Sequence, residues 1–153
     1  MAMNIAKRGW RASDGRLPPA GQRQLTSRNF RRGDIPAVRR LAEVFGARAG
    51  FGSARLADFV LAASEAAACA TAWGPCTARV RLWVSGGRAF CEVRGDAQAL
   101  CRVTRGTTRP GGLRGEEAAL RRWVLRQVCD YVSVASGPDG GAWVLLCVSA
   151  DGG

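Results

Sequence analysis

The chain has 153 residues, 47% of them apolar and 23% charged, with a net charge of +11 at neutral pH and no histidine. That length and apolar fraction fit one domain with its own core and argue against general disorder. No run approaches the roughly 18 apolar residues of a membrane helix and no secretory leader is evident, so a cytoplasmic location without membrane contact is the expectation.

Residues 1 to about 23 read as a basic, flexible arm, with residues 24–150 forming the domain. The arm carries Lys7, Arg8, Arg11, Arg16 and Arg23, the Pro18-Pro19 pair and no apolar periodicity. Such an arm serves either as a solubilising tail or as an electrostatic contact for an acidic partner or a nucleic acid backbone. Trp10 is its only aromatic residue able to stack on a base.

Leu25 to Arg32 is expected as a first strand. Asp34 and Pro36 then supply the chemistry of a helix start, and Val38, Leu41, Ala42 and Phe45 recur at helical spacing before a stop near Gly50. A second helix is expected from Ser53 to about Trp73, its apolar stripe made of Leu56, Phe59, Val60, Ala63, Ala67 and Ala70, ended by Gly74-Pro75. Two strands follow, Ala78–Val84 and Arg88–Arg94, joined by a hairpin at Ser85-Gly86-Gly87. Strand alternation groups Arg79, Arg81 and Trp83 on one face and Val80 and Leu82 on the other. An exposed tryptophan flanked by arginines marks a binding surface, so Trp83, Arg79 and Arg81 are candidate partner-binding residues.

Residues 95–115 form a long loop rich in Gly, Thr and Arg. A third helix is expected from about Glu116 to Asp130, with Leu120, Trp123, Val124, Gln127 and Val128 on its buried face. Trp123 and Trp143 are both expected in the core. Tyr131–Ser136 and Ala142–Ser149 close the chain as a hairpin around Gly137-Pro138-Asp139-Gly140-Gly141. The order β-α-α-β-β-loop-α-β-β, with hairpins and no βαβ repeat, predicts an α+β two-layer sandwich: a mainly antiparallel sheet covered on one face by about three helices.

Cys69, Cys76, Cys91, Cys101, Cys129 and Cys147 form no C-x-x-C pair. Without histidine a zinc site has little support, and reduced core thiols are expected. The lack of histidine also removes the usual general base near neutral pH, leaving any catalysis to a carboxylate or a metal.

Three stretches resemble the anti-sigma-factor kinase branch of the histidine-kinase-type (GHKL, or Bergerat) ATPases, over about Leu25 to Val148. Phe59-Val60-Leu61-Ala62-Ala63-Ser64-Glu65-Ala66 looks like the N-box helix, commonly L-x-x-S-E-A-x-x-N-A-x-x-H-G. Leu120 to Asp130 is similar to the helix after the Gly-rich lid, and Gly137 to Val144 to the closing hairpin. In active members the N-box glutamate acts as general base and the asparagine four residues on holds magnesium. Glu65 stands at the glutamate position here, but Cys69 replaces the asparagine and Trp73 the histidine. A thiol is a poor ligand for a hard cation that demands oxygen donors.

The resemblance further implies a D-x-G-x-G element against the adenine. Gly95 falls at its aspartate, and Asp96 substitutes only with a one-residue slip. Gly111, Gly112 and Gly115 match the lid, where backbone amides would cradle a phosphate; the same glycines also suit an ordinary loop. Ala142 stands where the family often carries threonine. The expected nucleotide site, made of Glu65, Cys69, Asp96, Gly111, Gly112 and Gly115, is therefore vestigial. No cofactor is expected unless that site still works, in which case ATP and magnesium would bind.

Three functions follow as expectations. The first is a non-catalytic regulator of the anti-sigma-factor type, binding a sigma factor, an anti-sigma antagonist or another transcriptional regulator. The second is an ATP-dependent serine protein kinase with Glu65 as base; the competing role for Glu65 is a helix carboxylate paired with an arginine or facing solvent. The third is a nucleic acid binder using the arm with Arg121, Arg122 and Arg126. The family resemblance also implies a homodimer.

Overall fold

The computed structural model describes residues 3–6, 23–71, 77–95, 113–136 and 142–150. The core domain opens with strand β2 (Arg23–Phe30), followed by a 3-10 turn at Arg32–Asp34 and helix α1 (Ile35–Arg48). The Arg31 backbone N–H donates to Asp34 Oδ2 at 2.9 Å, which fixes the entry, and Pro36 needs no N–H in the first turn. Val38, Ala42 and Phe45 turn inward. At the exit Gly50 takes φ +83°, its N–H donating to Ala47 O at 3.1 Å while the Phe51 N–H reaches Gly46 O at 3.1 Å. This is a Schellman end, in which a left-handed residue satisfies the last carbonyls and glycine alone pays no steric cost.

Helix α2 (Ser53–Thr71) buries Phe59, Ala62, Ala63, Ala66, Ala67 and Ala70. Alanine leaves little side chain between helix and sheet, so the backbones come close. A Cβ on Gly95 at the end of the sheet would stand 3.4 Å from the Ala70 Cβ.

Strands β3 (Ala78–Ser85) and β4 (Arg88–Gly95) form a hairpin closed by Gly86 and Gly87, with φ of +57° and +72°. Two positive φ values in a two-residue loop make a primed turn whose twist suits the flanking strands. Helix α3 (Leu113–Val128) leads into strands β5 (Tyr131–Ser136) and β6 (Ala142–Ser149). A further strand, β1 (Met3–Ala6), lies within the expected arm and pairs antiparallel with β5, Ile5 opposite Val132. The arm's basic residues Lys7, Arg8, Arg11 and Arg16 lie outside the described residues.

The result is an α+β fold with one six-stranded antiparallel sheet in the order β1-β5-β6-β4-β3-β2. Val80, Leu82, Ala89, Cys91, Val93, Val144, Leu146 and Val148 share a core with the inner faces of the helices. Among the described residues no helix is long and apolar enough to cross a membrane.

Two expectations about tryptophan are reversed. Trp83 is on the face opposite Val80 and Leu82, as its alternation requires, but it is 0% exposed. It stacks on Phe90 with ring centroids 5.4 Å apart and planes 3° from parallel. The register puts Trp83, Phe90, Cys147 and Tyr131 opposite one another across β3, β4, β6 and β5, and all four are buried as a second apolar cluster. The sheet face expected to be open is therefore closed at its centre.

Trp123, expected in the core, is 58% exposed, and Leu120 is 60% exposed. Helix α3 is rotated from the expected face: Leu125 and, just beyond the helix, Cys129 are buried, while Gln127 faces solvent. Arg121 is half-buried on the side toward α2, where it is bonded to Glu65. The Trp143 side chain lies outside the described residues.

Candidate functional site

Glu65 and Cys69 stand one turn apart on α2, so a helix does place the two expected site positions together. Their chemistry is already committed. Arg121 Nη1 of α3 donates to Glu65 Oε2 at 2.6 Å, with both side chains mostly sheltered, 26% and 18% exposed. A charge-assisted bond that short is among the stronger polar contacts of a protein. Cys69 is 3% exposed and packed with the core.

These residues do not fit a magnesium–nucleotide complex. Magnesium needs several free oxygen donors in octahedral array. Here the carboxylate is held by a guanidinium and the next position offers buried sulfur. Among the described residues no cluster of three or more Cys, Asp or Glu is disposed to hold a metal ion. Asp96, Gly111 and Gly112 lie outside the described residues. Gly115 is within the first turn of α3, which begins at Leu113, three residues before the expected Glu116.

The expected partner-binding trio is divided by its surroundings. Arg79 is exposed, its Nη2 3.3 Å from Ser27 Oγ. Arg81 is half-buried, its Nη1 3.6 Å from Glu92 Oε1. Glu92 is itself 3% exposed and accepts from Arg94 Nε at 3.1 Å. Opposite charges facing across strands keep a buried carboxylate compensated. Arg81 and Trp83 thus belong to the sheet's own packing.

The sequence did not single out Arg55. Its Nε donates to Ser149 O at 2.9 Å, Nη1 to Asp58 at 2.8 Å and Nη2 to Asp130 Oδ2 at 2.7 Å. Asp130 Oδ2 also accepts from the Ser149 N–H at 2.6 Å. One guanidinium therefore ties the start of α2 to the α3–β5 junction and the end of β6. Asp58, three residues on, was the only local cue.

The described cysteines, Cys69, Cys91, Cys129 and Cys147, are all buried. Burial raises the Cys91 and Cys129 thiols far above their ordinary value. It pushes Cys147 up to about 12, with Arg88 pulling down and Asp130 pushing up. Such thiols are packing groups rather than nucleophiles. Cys76 and Cys101 lie outside the described residues.

Set against known proteins, the chain matches no family model and no curated protein.

Proposed function

We propose that this chain is a non-catalytic regulator on a histidine-kinase-type ATPase scaffold, of the anti-sigma-factor type, acting by binding a protein in transcriptional control. The observation that carries this reading is the bond from Arg121 to Glu65. A general base must reach the proton it takes, whereas this carboxylate is tied through Oε2 to α3. Glu65 instead serves as the anchor of α3 on α2, in the structural role open to it from the sequence. Cys69 removes the oxygen ligand that magnesium would require.

The element order β2-α1-α2-β3-β4-α3-β5-β6 and the antiparallel sheet support the scaffold half of the reading. The nucleic acid alternative draws on Arg121, which is engaged by Glu65, so its basic surface on α3 is smaller than the sequence alone suggests.

The test is affinity capture of the full chain from its own cells, with and without ATP and magnesium. A transcriptional regulator should be retained equally under both conditions. Recovery of nucleic acid alone, or of a partner released by ATP turnover, would overturn the proposal.

A further inference from the structure

The outer row of the sheet is buried within a single chain, although no helix residue belongs to its cluster. The helices share the other core, with Val80, Leu82 and Cys91 on the inner face. Side chains stand out from a sheet, so neighbours on the same face shelter the flanks of an indole but not its top. Full burial of Trp83 therefore requires a cover, and the cover comes from this chain outside the described residues.

The register says which part of the chain is placed to supply it. Ala6, the last residue of β1, stands opposite Tyr131; Tyr131 faces Cys147, Cys147 faces Phe90, and Phe90 faces Trp83. Arg23, the first residue of β2, stands opposite Val84, beside Trp83. The buried row thus runs from the end of β1 to the start of β2, which are the two edges of the sheet. Five strand spacings of about 4.8 Å separate those edges, or about 24 Å. Residues 7–22 could reach more than twice as far, at roughly 3.3 Å per extended residue. The helices occupy the inner face, and a path around the end of the sheet would leave the row uncovered.

The other segments meet the sheet elsewhere. Residues 1–2, 72–76, 96–112 and 137–141 adjoin the opposite ends of their strands, and residues 151–153 are too few to cross. Burial on the outer face follows the same direction: Trp83 and Phe90 are buried, whereas Arg79 and Arg94, paired with each other toward the far end, are exposed.

We infer that residues 7–22 pass over the outer face of the sheet, along the row from Ala6 to Arg23, and bury it. Trp10 and Leu17 are the large apolar residues of this segment and supply the cover. Its charges, Lys7, Arg8, Arg11 and Arg16 against Asp14, do not choose the route, since Glu92 on that face is already held by Arg81 and Arg94. The stretch that reads as a basic tail is thereby a packed strap between the two edge strands. This goes beyond the protein-binding reading and does not depend on it.

Photocrosslinking within the full-length chain tests the strap, with benzoylphenylalanine at position 10 or 17. The expected result is an adduct inside one chain to a peptide carrying Trp83, Phe90, Cys147 or Tyr131. Adducts to helix residues only, or none within the chain, would overturn the inference. A second measurement follows alkylation of Cys147 under native conditions by mass spectrometry. Replacing residues 7–22 with a glycine-serine linker of equal length should raise the Cys147 rate at least about tenfold, because thiol reactivity follows access, while Cys91 on the inner face keeps its rate. An unchanged Cys147 rate would overturn the strap as well. The crosslink retains the native segment around one substituted position, so it decides the matter whether or not the replaced chain folds.

Discussion

At the scale of single residues, Trp83 illustrates what alternation can and cannot reveal. The period of two assigned its face correctly, because successive side chains in a strand must point to opposite sides. Whether that face is covered depends on chain remote in sequence, which no local pattern records. Its Nε1 is buried without a hydrogen-bond partner. Trp83→Ala should cost about 3–5 kcal/mol in urea unfolding, the usual penalty for emptying a fully buried aromatic site. Trp83→Phe should cost less than half as much, since it also removes a stranded donor whose desolvation costs about 1–3 kcal/mol.

The buried thiols make a second residue-scale prediction, in alkali. Unfolded cysteines ionise near 9.0, whereas folded Cys147 holds its proton up to about 12, and Cys91 and Cys129 are raised further. Above the unfolded value the native state binds more protons than the unfolded one, so stability falls as pH rises. Their contribution is complete below pH 9 and is lost progressively above it. Urea midpoints measured from pH 8 to 11 should decline, and the decline should be shallower in Cys147→Ala.

Among the elements, those with unmistakable punctuation were legible. Gly50 ends α1, Gly86-Gly87 turns β3 into β4, and the bounds of β5 and β6 match the expected strands. Helix α3 was legible in existence but not in rotation. Its sequence carries two overlapping stripes, the expected one through Leu120, Trp123, Val124, Gln127 and Val128 and another through Arg121, Val124, Leu125 and Val128, so the half-buried Val124 and Val128 belong to both. Hydrophobicity favours the first; the Glu65–Arg121 bond and the fit against α2 select the second. An arginine on an inward face is invisible to a count of apolar residues, because its stem packs while its head finds a carboxylate. The Arg55 junction was illegible for a related reason, since Ser149 and Asp130 lie 94 and 75 residues away. Arg55→Ala should cost about 2 kcal/mol in chemical denaturation, from bonds to charged partners worth roughly 1.5–3 kcal/mol apiece less what water restores. Arg55→Lys should recover only part, because an ammonium cannot reproduce the fork that reaches three acceptors.

For the whole molecule, the α+β class and the antiparallel hairpins followed from element order, and the core face of the sheet from period-two patterning. The candidate site was legible in half: Glu65 was read as a retained position and Cys69 as an altered one, but the arginine that binds Glu65 comes from a helix 56 residues away. The burial of Trp83 escaped the sequence because exposure is a property of the assembled layers. The proposed non-catalytic role rests on the arginine-held carboxylate of Glu65. The most direct test is calorimetric titration of the full-length chain with ATP, with and without magnesium, beside Glu65→Gln. The account predicts no magnesium-dependent heat in either protein. Micromolar, magnesium-dependent binding that Glu65→Gln abolishes would contradict it.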